Sequence, residues 1–208
     1  GGWLAAGSAN GEVAVFDAAG GAVDPAQWPR NLGVTGVEPD FLWLRFSNEP
    51  GVSCAAGAPA LVVRAADRLW SFCPNGTPQP GWGQSLGDTL VAGLGAGDPD
   101  GDGFPEVLVQ TQHSQLAFIN ASGHPSPGWQ RAATDEDFRT SSPPLTVDLD
   151  GDGRGEVLAL NASGVLAALK SNGRTPDGFP LATGAGASGS AGRCSAGGSR
   201  LPKPCRAI

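Results

Sequence analysis

The chain has 208 residues, 40% of them hydrophobic, enough to bury a core, so disorder is not the expectation. Its 33 glycines and 18 prolines punctuate short runs of Val, Leu, Ala, Phe and Trp, a pattern of many short strands rather than long helices. The net charge of −7 has the wrong sign for neutralising phosphates, which argues against nucleic-acid binding, and no apolar run nears the roughly 20 residues needed to span a membrane.

Residues Gly1 to Gly7 hold no basic stretch followed by an apolar one, so a signal peptide is expected to have been removed or to lie outside this segment. Alternation then predicts strands in four successive units. The first unit has Trp3 to Gly7 and Glu12 to Asp17, beginning at what is the second strand elsewhere. The second has Phe41 to Ser47, Ala60 to Ala66 and Arg68 to Cys73. The third has Thr89 to Ala96, Glu106 to Thr111 and Gln115 to Asn120, and the fourth repeats it at Leu145 to Leu149, Glu156 to Leu160 and Val165 to Lys170.

Each unit ends its last predicted strand in a similar turn: F-D-A-A-G to Gly20, F-C-P-N-G to Gly76, I-N-A-S-G to Gly123 and L-K-S-N-G to Gly173. The glycines are 56, 47 and 50 residues apart, the period of propeller blades or arrays. A Pro and aromatic step follows each turn, around Trp28, Trp82, Trp129 and Phe179. That ring is expected to seal each unit against the next, beside a short outer strand. The prediction is an all-β protein, a partial or small β-propeller of about three and a half to four blades over residues 1–184. Residues 185–208 read as a separate Gly/Ser-rich, basic, flexible tail.

Four cysteines without C-x-x-C spacing argue against zinc and thioredoxin-like chemistry. Two local disulfides, Cys54 with Cys73 and Cys194 with Cys205, fit an oxidising compartment; free buried thiols are the alternative. The sequons at Asn75, Asn120 and Asn161 read as glycan acceptors or equally as turn residues, and His113 and His124 as surface turn residues.

The most specific signal is nine residues long and occurs twice, 50 residues apart: D-P-D-G-D-G-F-P-E at Asp98 to Glu106, and D-L-D-G-D-G-R-G-E at Asp148 to Glu156. Hard cations such as Ca²⁺ take six to eight oxygen ligands in tolerant geometry. Carboxylates at positions 1, 3, 5 and 9 with a carbonyl at 7 supply such oxygens, and the glycines let the backbone curl around them. An EF-hand opens with the same residues but needs Glu at position 12, where Val109 and Ala159 stand. Both loops run into V-L-V and V-L-A-L, which suit strands better than a helix.

The pattern D-x-D-G-D-G-x-x-E before a strand resembles the FG-GAP or VCBS-type repeat, similar to the calcium loops of integrin α-subunit propellers and of bacterial surface proteins. The resemblance implies one Ca²⁺ held by Asp98, Asp100, Asp102, the Phe104 carbonyl and Glu106, and a second held by Asp148, Asp150, Asp152, the Arg154 carbonyl and Glu156. Glu at position 9 departs from the Asp usual in integrin loops. The second unit has G-V-S-C-A-A-G-A-P in the corresponding place, with no ligands and Cys54 as an expected brace.

These features point to a non-enzymatic calcium-binding scaffold or adhesion and assembly module, located extracellularly, at the cell surface or in the periplasm. Its expected partner is a protein or a neighbouring subunit. One alternative is a carbohydrate-binding, lectin-like propeller with Trp28, Trp82 and Trp129 stacking on sugars. Another is a structural subunit of a surface filament or larger complex, with exposed blades pairing with neighbours. An enzyme of the quinoprotein type is the least favoured, since no Ser-His-Asp or Cys-His constellation stands out.

Overall fold

The structure is a computed structural model of the chain and describes residues 2–46, 54–55, 57–113, 116–126, 143–161 and 163–182. Among these residues all regular structure is strand, in four antiparallel sheets. The first unit holds β1 (Trp3–Gly7), β2 (Glu12–Asp17) and β3 (Arg30–Asn31). The second holds β4 (Asp40–Leu44), β5 (Ala60–Ala65) and β6 (Arg68–Phe72), and the third holds β7 (Leu90–Gly97), β8 (Glu106–Thr111) and β9 (Leu116–Ile119). The fourth holds β10 (Leu145–Val147), β11 (Glu156–Leu160), β12 (Val165–Leu169) and β13 (Leu181–Ala182). Within each sheet, sequence neighbours are spatial neighbours, so every unit is a simple meander.

The recurring turn has one geometry in all four units. The amides of Gly20, Gly76, Gly123 and Gly173 donate to the carbonyls of Asp17, Cys73, Asn120 and Lys170. The amides of those four residues donate forward to Gly21, Thr77, His124 and Arg174. Asn75 Oδ1 accepts from the Thr77 amide, Asn120 Oδ1 from the amides of Ser122 and His124, and Asn161 Oδ1 from those of Ser163 and Val165, so all three sequon asparagines have their side-chain oxygens spent on turns.

The aromatic step fastens one unit to the next. Trp28, 2% exposed, donates its indole N–H to the Pro74 carbonyl in the second unit's turn at 2.9 Å and meets the Phe72 ring edge-on at 5.5 Å. Trp82 repeats this one unit on, donating to the Ala121 carbonyl at 2.9 Å. The turn glycine is required here. A Cβ at Gly76 would lie 2.6 Å from Gln27 Cβ, and one at Gly123 would lie 2.7 Å from the Gly81 carbonyl oxygen. Trp129 lies outside the described residues. The bonded indoles of Trp28 and Trp82 thus fasten adjacent units.

Between the sheets, alternate residues of each strand form successive cores. Val13, Val15 and Trp28 pack on Leu61, Val63 and Phe72; Ala60, Val62 and Leu69 pack on Val107, Val109 and Ile119; Leu108, Leu116 and Phe118 pack on Val157, Ala159, Ala167 and Leu169. Each fully buried Val, Leu, Ile or Phe among them contributes about 1.5–3 kcal/mol. Arg64 adds a polar tie, bonding Asp40 in its own sheet at 2.8 Å and reaching the Leu90 carbonyl of the third unit at 2.7 Å.

The expected outer strand forms as β3 in the first unit and β13 in the fourth. In the second unit it is reduced to isolated bridges, Arg68 to Ser85 and Phe72 to Pro78. Glycines at 81, 83 and 87, all at positive φ, bend that segment away from a strand. The tail at 185–208, with Cys194 and Cys205, lies outside the described residues. The other disulfide is present: Cys54 joins Cys73 with Cα atoms 5.2 Å apart.

Candidate metal centre

Both carboxylate loops join the first strand of a unit to its second. Asp98 directly follows β7 and Glu106 begins β8; Asp148 directly follows β10 and Glu156 begins β11. Paired strands therefore bring positions 1 and 9 together: Gly97 pairs with Glu106, and Val147 with Glu156. The intervening residues fold over them.

The first aspartate organises each loop. Asp98 accepts from the amides of Gly101 at 2.7 Å and Gly103 at 2.8 Å, and Asp148 accepts from Gly151 at 2.7 Å and Gly153 at 3.0 Å. Positive φ at these four glycines lets the chain double back so that its amides face inward.

In consequence carboxylate oxygens of Asp98, Asp100 and Glu106 lie within 4.8 Å of one another, and so do those of Asp148, Asp150 and Glu156. Glu106 and Glu156 are each 2% exposed, so the longer side chain at position 9 still reaches its cluster. Asp102 and Asp152 lie outside these clusters. Asp102 accepts from the Phe104 amide at 2.8 Å, and Asp152 from the Arg154 amide at 2.9 Å, which fixes the residues whose carbonyls were expected to serve as ligands.

Three acidic oxygens of one sign at such separation repel unless a cation or proton intervenes. Burial, then repulsion from Asp102 and Asp98, push the Asp100 carboxyl above its ordinary value, despite a hydrogen bond from the Asp102 amide. In the fourth unit the Lys170 ammonium bonds Asp150 directly and holds its carboxyl below the ordinary range. In the sequence Lys170 reads only as the end of a strand and the start of a turn. Glu156 accepts from the Leu149 amide at 2.7 Å. Each cluster of hard oxygen donors can hold a metal ion.

The loops also touch. The Gly155 amide donates to the Asp98 carbonyl at 2.8 Å, and the Arg154 stem lies over Gly101, 3.0 Å from where a Cβ would stand. A Cβ at Gly155 would lie 2.2 Å from Thr146 Cγ2 in its own unit and 3.2 Å from the Asp98 carbonyl oxygen of the third, so glycine leaves room where the two loops meet. In the second unit the corresponding segment carries no acidic residue between 51 and 59, and the Cys54–Cys73 disulfide ties it down.

His113 and His124 sit in turns as expected. His113 bonds Asp88 through its amide and its ring, at 3.2 and 3.0 Å. Burial raises the Asp88 carboxyl, but the bonds from His113 and Thr111 outweigh it and lower it to about 2.

No protein-family model matches the chain, and no curated protein does. Among solved structures, BBS1N in complex with ARL6DN, soaked with mercury, matches at a TM-score of 0.52 and 12% identity, over 87% of this chain and 48% of that one. The same complex soaked with lead gives 0.49 and 14%, over 81% and 43%. A protein of unknown function from Bacteroides caccae gives 0.49 and 15%, over 86% and 57%. The chain thus spans about half the length of the structures it matches. The likeness to BBS1N, together with the four stacked meanders, defines the fold as a partial β-propeller.

Proposed function

We propose that the chain is a calcium-binding, non-enzymatic scaffold of the FG-GAP/VCBS type, working outside the cytoplasm as an adhesion or assembly module. The observation that carries this reading is the convergence of carboxylates 1, 3 and 9 at the same point of two adjacent units. Calcium suits the donors because it accepts many oxygens in irregular geometry, whereas Mg²⁺ demands a small octahedral shell and retains water. Asp102 and the Phe104 carbonyl, with Asp152 and the Arg154 carbonyl in the next loop, are the remaining oxygens offered to each ion. Bound ions would neutralise the clusters and lock the paired loops, making the edge of the propeller a rigid surface for a protein partner.

The Cys54–Cys73 disulfide is compatible with an extracellular or periplasmic location. Among the described residues no helix is long and apolar enough to cross a membrane.

The test is thermal unfolding after EDTA treatment, with and without added calcium. Calcium at about 100 times its Kd stabilises by about 2.7 kcal/mol per site, a rise of roughly 5–10 °C in Tm for a domain of this size. A melting curve indifferent to EDTA, calcium and magnesium removes the metal-binding premise.

A further inference from the structure

The sequons at Asn75, Asn120 and Asn161 each fall in a turn closed by a glycine amide, but not at the same place in it. The Gly123 amide donates to the Asn120 carbonyl and the Gly164 amide to the Asn161 carbonyl, so those two asparagines stand first in their turns. The Gly76 amide donates to the Cys73 carbonyl, which puts Asn75 third, at the tip.

That shift decides what each side chain can reach. A first-position asparagine folds its side chain over the turn. Asn161 is 8% exposed and accepts from the Ser163 and Val165 amides. Asn120 is half-buried and accepts from the Ser122 amide, the Ser122 hydroxyl and the His124 amide. The second unit also presses on that turn, since a Cβ at Gly81 would lie 2.1 Å from the Ser122 carbonyl oxygen. A sugar on either amide would have to draw the side chain out of its turn and break these bonds. Asn75 is exposed, and its oxygen accepts from the Thr77 amide at 3.2 Å. It borders an open cleft of about 320 Å³ beside Trp3, Val23 and Pro74, which leaves room for a bulky substituent. The turn beneath is pinned on two sides, by the Cys54–Cys73 disulfide and by the Trp28 indole on the Pro74 carbonyl.

We propose that Asn75 is an N-glycan attachment site, selected over Asn120 and Asn161 by its place at the tip of the turn. The co-reactant is an oligosaccharide joined through its anomeric carbon to a lipid diphosphate. Asn75 Nδ2 bonds to that carbon while the carbon–oxygen bond to the diphosphate breaks. The lipid diphosphate leaves with the electron pair, and the amide gives one proton to the transferase's base. A chain that received a sugar at Asn161 before folding could not close the turn between β11 and β12, whereas a sugar at Asn75 stays outside the folded chain. The inference rests on the location outside the cytoplasm proposed above, not on calcium. The fourth unit holds an internal control. Asn172 is third in its turn, exposed, and accepts from the Arg174 amide at 2.9 Å, as Asn75 does from Thr77; the hydroxyl at the second residue after it is what it lacks.

The experiment is secretion of the chain from a eukaryotic cell, with peptide mass spectrometry before and after enzymatic release of N-glycans. The expected result is a glycan at Asn75, with Asn120 and Asn161 bare. Thr77→Ala, which keeps the amide that bonds Asn75, is expected to abolish the modification, and Arg174→Thr to add a second glycan at Asn172. An unmodified Asn75 in a secreted, disulfide-bonded chain overturns the proposal. A glycan at Asn161 in the folded chain, or none at Asn172 in Arg174→Thr, overturns turn position as the selector. Because the host supplies the compartment, these failures count against this inference alone. Reactive Cys54 and Cys73 thiols in the natural protein would overturn the location, and the natural modification with it.

Discussion

The loops at Asp98 to Glu106 and Asp148 to Glu156 have the same pattern, the same strand-to-strand placement and the same glycine amides donating to their first aspartate, yet they handle charge differently. In the third unit, Asp100 sits against Asp98 and Asp102 with its carboxyl pushed up. In the fourth, Lys170 already answers Asp150 with its own positive charge. The lesson is that a ligand pattern sets which oxygens can converge, while a residue outside it sets how much negative charge is left for an ion. The third unit's loop is expected to bind the tighter of two calcium ions, and the fourth to bind one that must displace the Lys170 ammonium.

The largest effect should separate the loops by deletion. At calcium below saturation, Asp98→Ala is expected to abolish most of the calcium-induced rise in Tm, on the order of 5–10 °C, while Asp148→Ala removes a smaller part. Equal losses in differential scanning calorimetry would erase the distinction. A smaller change should come from Lys170→Ala, which frees Asp150. Calcium affinity of the fourth unit's loop should rise up to roughly fivefold, the scale of an exposed ion pair, with the third unit's loop unaffected. Unchanged or weaker binding in a calcium titration would show that the lysine is no competitor.

The smallest effects are expected in the metal-free protein, with opposite signs. Asp100→Asn removes repulsion and should raise Tm by up to roughly 2–4 °C, whereas Asp150→Asn removes the partner of Lys170 and should lower it. Their pH dependences should oppose each other too. The Asp100 carboxyl is raised in the folded state, so its penalty is present at neutral pH and is relieved as pH falls through the raised value. The Asp150 carboxyl is depressed, so its contribution is present above the ordinary value of 3.8 and is lost as pH falls through the depressed one. Melting curves of both variants across the acid range check the signs; parallel curves would contradict them.

Much of this was legible in the sequence because it follows from local rules. Strand alternation and the turn glycines placed β5, β6, β8, β9, β11 and β12 within a residue or so, and the Trp steps pointed to the fasteners. The opening strand of the fourth unit ran long in prediction. Leu145 to Leu149 stops at Val147, because Asp148 turns its carboxylate onto the amides of its own loop. The segment at 77–87 resisted, since its backbone follows positive-φ glycines instead of a ladder.

The role of Lys170 was hidden for a different reason. It lies 20 residues from Asp150 and meets it only once β12 folds back along β11. The signal was nonetheless present: the repeat sets Lys170 at the position held by Asn120, a change from amide to ammonium beside an otherwise matching carboxylate loop. The bonds that Asp102 and Asp152 accept from the amides two residues on are local turn detail that a ligand pattern does not distinguish from coordination.

The most direct test of the unequal pair is a calorimetric calcium titration of the metal-stripped chain. The account predicts two sites of different affinity, the tighter lost in Asp98→Ala and the weaker lost in Asp148→Ala. A titration with no calcium-specific heat, or one whose stoichiometry survives both substitutions, would contradict it.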